Sequence, residues 1–121
     1  MKALHATPFL LLCAGLLPLA ASAGESVTQC VSLGNSQEIV RSAGGQQFFL
    51  KDGDSHYRVG FAHSCDSIMT TPSVEISTNG EVNQLCPEGT KVKTKRDSCR
   101  VEAVETISAE EFDRRKKRAS R

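Results

Sequence analysis

The chain has no tryptophan and one tyrosine, and of its five phenylalanines Phe9 falls in an N-terminal apolar stretch. A small core must therefore be filled mainly by Val, Ile, Leu and the remaining Phe side chains. The same scarcity argues against nucleic-acid recognition by a strand face, which needs aromatics interleaved with cations. Only Phe48-Phe49 and Tyr57, near Lys51 and Arg58, approach that pattern, and they read as core. No C-x-x-C is present, which removes the usual thiol oxidoreductase motif and the paired ligands of zinc ribbons. G-x-S-x-G, H-E-x-x-H and the P-loop are missing too. Asp52-Gly53-Asp54-Ser55 offers closely spaced oxygens but lacks the distal Glu of an EF-hand, so it reads as a turn. No cofactor or metal site is predicted.

Long apolar runs are also scarce. The one that exists, Phe9 to Ala20, follows the positive Lys2 and precedes Ala21-Ser22-Ala23, a small-x-small cleavage site. Residues 1–23 are therefore predicted to be an export signal, too short in its apolar part to serve as a membrane span. Leu12 before Cys13 does not fit a lipoprotein signal, so Cys13 is expected to be lost on cleavage. No transmembrane segment is expected afterwards. The mature chain then has 98 residues, 14 basic and 14 acidic groups, and four cysteines.

An even cysteine count behind an export signal implies an oxidising compartment, periplasmic or extracellular, and a disulfide framework. Four cysteines allow three pairings. The preferred one is nested, with Cys65 joined to Cys86 across a hairpin and Cys30 joined to Cys99. Such loops contribute on the order of 3 to 4.5 kcal/mol each. The gaps between these cysteines, and the distance from any close partner except His63, disfavour a zinc site.

Period-two alternation dominates what remains. Tyr57, Val59 and Phe61 alternate with polar or small neighbours, as do Val74 with Ile76, and Cys99, Val101 and Ala103 with Arg100, Glu102 and Val104. Turn residues separate these runs: Gly44-Gly45, Asp52-Gly53-Asp54-Ser55, Asn79-Gly80 and Lys95-Arg96-Asp97-Ser98. The chain is predicted to be mainly β, a small antiparallel meander of six or seven strands forming a sandwich or partly open barrel, with one C-terminal helix. Ser108 and Glu111 form a capping box, and Ile107 with Phe112 a hydrophobic staple. Glu110 with Arg114, Glu111 with Arg115 and Asp113 with Lys117 are spaced as i,i+4 ion pairs, roughly 0.2 to 0.5 kcal/mol each when exposed.

Charge is divided along the chain. Residues 24–113, the disulfide-linked β domain with the start of the helix, carry eight basic and 14 acidic groups, whereas 114–121 is a basic tail. Arg114, Arg115, Lys116, Lys117 and Arg118 suit a helix C-terminus on dipole grounds and are also the candidate contact for an anionic surface.

Cys30, Tyr57-Arg58-Val59 running toward Cys65-Asp66-Ser67-Ile68, the Gly80 turn leading to Cys86, and Cys99-Arg100-Val101-Glu102 running to Ile107-Ser108-Ala109-Glu110-Glu111 together give the chain a recognisable layout. It resembles the small, uncharacterised exported four-cysteine domains of Gram-negative bacteria over residues 30–112. The resemblance implies an exported disulfide protein and brings no activity, ligand or catalytic residue with it. The expected function is a non-catalytic binding or interaction module of the cell envelope, with an envelope protein or anionic envelope surface as partner and no nucleic acid. The competing expectation is a small periplasmic hydrolase or metal-dependent enzyme built on Asp66, Glu75, Glu81 and Glu88 with His56 or His63.

Overall fold

A computed structural model of the protein describes residues 24–120. The export signal expected over residues 1–23, Cys13 within it, and Arg121 lie outside the described residues. Nine strands and one α-helix follow in order: β1 (Val31–Ser32), β2 (Gln37–Arg41), β3 (Gln47–Asp52), β4 (Ser55–Phe61), β5 (Glu75–Thr78), β6 (Glu81–Val82), β7 (Gln84–Leu85), β8 (Thr90–Lys93), β9 (Ser98–Thr106) and α1 (Ala109–Ala119). Seven strands form one antiparallel sheet in the order β2-β3-β4-β9-β8-β5-β6, curled into a half-barrel, while β1 pairs separately with β7. The predicted mainly β chain with one terminal helix is therefore the observed fold.

Alternation decides which side chains enter the curl. Tyr57, Val59 and Phe61 of β4 are buried with Phe48 and Leu50 of β3, Ile76 of β5, Val92 of β8 and Val101 and Val104 of β9. Phe49, between two inward residues, points to the other face and is buried there with Val40 and Phe112, against which Ile107 packs. The contiguous Phe48-Phe49-Leu50 run thus reflects a strand covered on both sides, by the core within and by α1 without.

Two turns behave as their residues require. Asn79 (φ 51°) and Gly80 (φ 86°) join β5 to β6 with Thr78 opposite Glu81, the positive-φ pair of a tight hairpin. Gly45 (φ +67°) is buried, and a Cβ there would lie 2.7 Å from the carbonyl oxygen of Cys65. The Cys65 amide donates to the Gly45 carbonyl at 2.7 Å, so only glycine permits this approach.

Two expectations fail for identifiable reasons. Strict alternation along β9 puts Ala103 inward and Val104 outward, yet Val104 is buried and Ala103 exposed. Gly60 pairs with Ala103 and Phe61 with Val101, so Glu102 is the extra residue of a bulge that reverses the pleat. The nested disulfides are also incorrect: the bridges are Cys30–Cys86 and Cys65–Cys99. After β6 the chain turns at Asn83 (φ 65°) and enters β7, which pairs with β1 rather than closing the β5 hairpin. Val31 faces Leu85, and one step further along that ladder Cys30 meets Cys86. Cys65 is left buried beside the start of β9, where Cys99 completes its bridge. The closed loops, with sequence separations of 56 and 34, interlock instead of nesting.

Buried hydroxyls brace both bridges. The Thr90 hydroxyl accepts from the Cys86 amide at 2.8 Å and lies 2.7 Å from the Thr78 hydroxyl. Near the other bridge, Ser67 and Thr94 place their hydroxyls 2.7 Å apart. All four hydroxyl-bearing residues are buried, so each contact satisfies a polar group that water no longer reaches.

Candidate functional site

Helix α1 begins as its sequence predicts. The Ser108 hydroxyl accepts from the Glu111 amide at 3.0 Å, and Ile107 joins the cluster around Phe112. The second half of the capping box is replaced, because the Glu111 carboxylate turns to Arg115 at 3.3 Å. The other two expected i,i+4 pairs, Glu110 with Arg114 and Asp113 with Lys117, do not form; Lys116 instead reaches Glu38 of β2 at 2.6 Å.

The five basic residues are consequently unequal. A helix repeat of about 100° per residue sets Arg115 and Lys116 on the side of Phe112, toward the sheet. The Arg115 guanidinium lies 4.8 Å from the centroid of Phe49. The Glu38 carboxylate holds the Lys116 ammonium above its ordinary pKa of 10.5, chiefly through their hydrogen bond. Arg114, Lys117 and Arg118 are exposed and have no ion-pair partner among the described residues. Reading the run as one uniform cationic surface therefore overstates it by two residues.

Between the second half of α1 and β2 lies a groove of about 670 Å³. Its strand side is Glu38 to Arg41, its helix side is Arg115, Lys116 and Arg118, and Met69 stands at its margin with 44% of its surface exposed. β2 is a sheet edge, paired only with β3. A strand bonded on one side presents unpaired amides and carbonyls on the other. The two charges on β2 are already engaged: Glu38 with Lys116, and Arg41 through its guanidinium with the carbonyls of Ile68 (2.6 Å) and Thr71. What this groove offers is a free strand edge, an exposed thioether and one unengaged cation, Arg118.

The catalytic candidates stay apart. His56 packs near Phe112, with ring centroids 5.4 Å apart, whereas His63 is exposed beyond the opposite end of β4. Seven residues of extended chain separate them by roughly 20 Å. Asp66 accepts from the Ser64 hydroxyl at 2.9 Å, Glu75 lies opposite Lys93 in β8, and Glu81 in β6 and Glu88 in the turn before β8 are both exposed. Among the described residues, no three His, Cys, Asp or Glu side chains gather to hold a metal ion. The Asp52-Gly53-Asp54-Ser55 segment is the β3–β4 turn, and the Asp52 carboxylate accepts from the Gly34 amide at 3.1 Å.

No helix among the described residues is long and apolar enough to cross a membrane. The two disulfides are compatible with an oxidising periplasmic or extracellular location. Comparison with protein-family models, with curated proteins and with solved structures finds no match to the chain. The layout resemblance described above therefore has no matching family model, and the reading of function rests on the site itself.

Proposed function

We propose that the protein is an exported, non-catalytic binding module of the cell envelope that takes an extended acidic segment of a partner protein into the groove between α1 and β2. The observation that carries this reading is the juxtaposition of an unpaired strand edge with Arg118, the cation of the helix wall that no carboxylate among the described residues engages. A partner strand added to β2 would gain main-chain hydrogen bonds from the edge, with side-chain selection left to the groove. Acidic side chains on such a segment would meet Arg118, and Met69 is an adaptable apolar contact beside them. Buried Phe112 and the Lys116–Glu38 pair hold the helix wall against the sheet, which lowers the ordering cost of binding. The export signal and the even cysteine count support an envelope setting.

The enzyme alternative gains no comparable support, because the groove's single carboxylate, Glu38, is already tied to Lys116. The reading is tested by comparing mature protein with an Arg118→Glu, Met69→Glu variant in envelope-protein binding. Loss of a saturable partner with the fold intact is expected. Undiminished binding of that partner by the variant contradicts the groove.

A further inference from the structure

Five of the eight basic residues in the chain from 24 to 113 fall in one ten-residue stretch: Lys91, Lys93, Lys95, Arg96 and Arg100. They sit on the β8–β9 hairpin. Strand β8 buries Val92 and exposes Lys91 and Lys93, which therefore share the outer face of the sheet. Lys91 and Arg100 are direct cross-strand partners, so their side chains leave the same face about 5 Å apart at Cβ. Lys93 stands about 7 Å from Lys91 along the strand. Lys95 and Arg96 continue the basic run through the exposed turn.

This arrangement is not ordinary surface balance. Elsewhere between residues 24 and 113, Arg58 pairs with Glu105 and Arg41 is satisfied by two carbonyls. None of the five hairpin cations has an ion-pair partner among the described residues, although Glu75 faces Lys93 across the ladder and Asp97 lies in the turn. Like charges directly opposite each other on a sheet are unfavourable. Lysines often protect an exposed strand edge, but β8 lies inside the sheet between β5 and β9, where no edge needs protecting. A like-charge pair kept where the fold does not need it is the kind of local conflict that marks a binding surface.

We propose that the outer face of the β8–β9 hairpin binds a linear anionic glycan, a polysaccharide carrying carboxylate or sulfate groups at regular intervals. Cations repeated along a strand, with Arg100 able to fork onto one carboxylate, match a chain of spaced anions. Residues 90–106 contain no aromatic side chain, so the hairpin lacks the stacking platform that single-stranded nucleic acid uses. The exposed large apolar residues of the described chain, Met69 and Val82, lie outside it, so the face has no apolar group to bury in a bilayer. This surface is separate from the α1–β2 groove: β8 lies four positions from β2 in the sheet.

The test uses the mature disulfide-bonded protein and two triple variants of equal charge change, Lys91→Ser with Lys93→Ser and Arg100→Ser, and Arg114→Ser with Lys117→Ser and Arg118→Ser. Binding to alginate and to heparin is titrated at several salt concentrations, with single-stranded DNA and anionic vesicles as competing probes. The hairpin variant should lose affinity for the glycans by about tenfold or more and show a shallower salt dependence, while the helix variant changes by less than about threefold. Removing the like-charge pair should leave the thermal midpoint unchanged or higher, which separates lost binding from lost folding. Equal losses in both variants overturn the proposal, as does tighter binding to DNA or vesicles than to either glycan.

Discussion

The guanidinium of Arg115 lies over the ring of Phe49, 4.8 Å from its centroid, and the same side chain reaches Glu111 one turn back at 3.3 Å. A residue that reads as part of a basic tail is thus a packing element, clamping α1 onto the outer face of β3. Phe112, fully buried beneath it, is the main apolar anchor.

That difference predicts a graded response along the helix. Phe112→Ala should cost about 3 to 5 kcal/mol and release α1 from the sheet. Arg115→Ala should cost about 1 kcal/mol, since it loses a cation–π contact and a partly exposed ion pair together. Arg114→Ala should stay within about 0.5 kcal/mol. Urea unfolding followed by circular dichroism ranks the three, and an Arg114 effect equal to that of Arg115 would show that the inward and outward faces are misassigned.

The interlocked bridges give a second expectation. Peptide mapping without reduction should recover Cys30 joined to Cys86 and Cys65 joined to Cys99. Removing either bridge as a double Cys→Ala variant should cost about 4 kcal/mol by loop entropy, comparable with a small domain's whole stability. Recovery of Cys65 with Cys86 would contradict the β1–β7 ladder as well as the bridge.

Thr90 and Gly45 test the local bracing. Thr90→Val keeps the shape but leaves the Cys86 amide without its acceptor, at a cost of about 1 to 3 kcal/mol. Gly45→Ala forces both a left-handed backbone and a contact at 2.7 Å with the Cys65 carbonyl, so it should destabilise by more than the usual surface substitution. Thermal unfolding that leaves Gly45→Ala equal to wild type would contradict the close approach of these two segments.

The Lys116–Glu38 pair carries a pH dependence of definite sign. Its lysine is raised above 10.5, so the stabilisation is fully present below that value and is lost as pH rises through the higher folded-state pKa. Between about pH 7 and pH 10 the pair should contribute no pH dependence. Above that range helix docking should weaken in wild type, with a smaller step in Glu38→Gln. Identical alkaline profiles for the two proteins would mean that the pair does not couple the helix to β2.

Much of this was legible before the structure. Alternation located β4 and β5, Asn79-Gly80 located the β5–β6 hairpin, and Ser108 with Ile107 and Phe112 located the start of α1. What escaped depended on spatial relationships with no local signature. The bulge at Glu102 reversed Val104 because a one-residue insertion is set by the partner strand, here at Gly60. The disulfide partners depended on the return of β7 to β1, marked only by Asn83, whose positive φ is not evident from residue type alone. The groove required knowing which strand ends up at the sheet edge, and β2 has no sequence mark of that role. The basic cluster from Lys91 to Arg100 was visible in composition, but only the register showed that Lys91 and Arg100 face each other and that β8 is an interior strand.

Whether a partner segment lies between α1 and β2 is read by photo-crosslinking from Met69 and Arg118, with exposed Glu88 on the turn before β8, a strand four positions from β2 in the sheet, as control. Adducts from both groove positions should map to one extended acidic segment of a single envelope protein and disappear when Ile39 at the strand edge is changed to proline with the fold intact. Adducts to that protein from Glu88 but from neither groove position would contradict this placement.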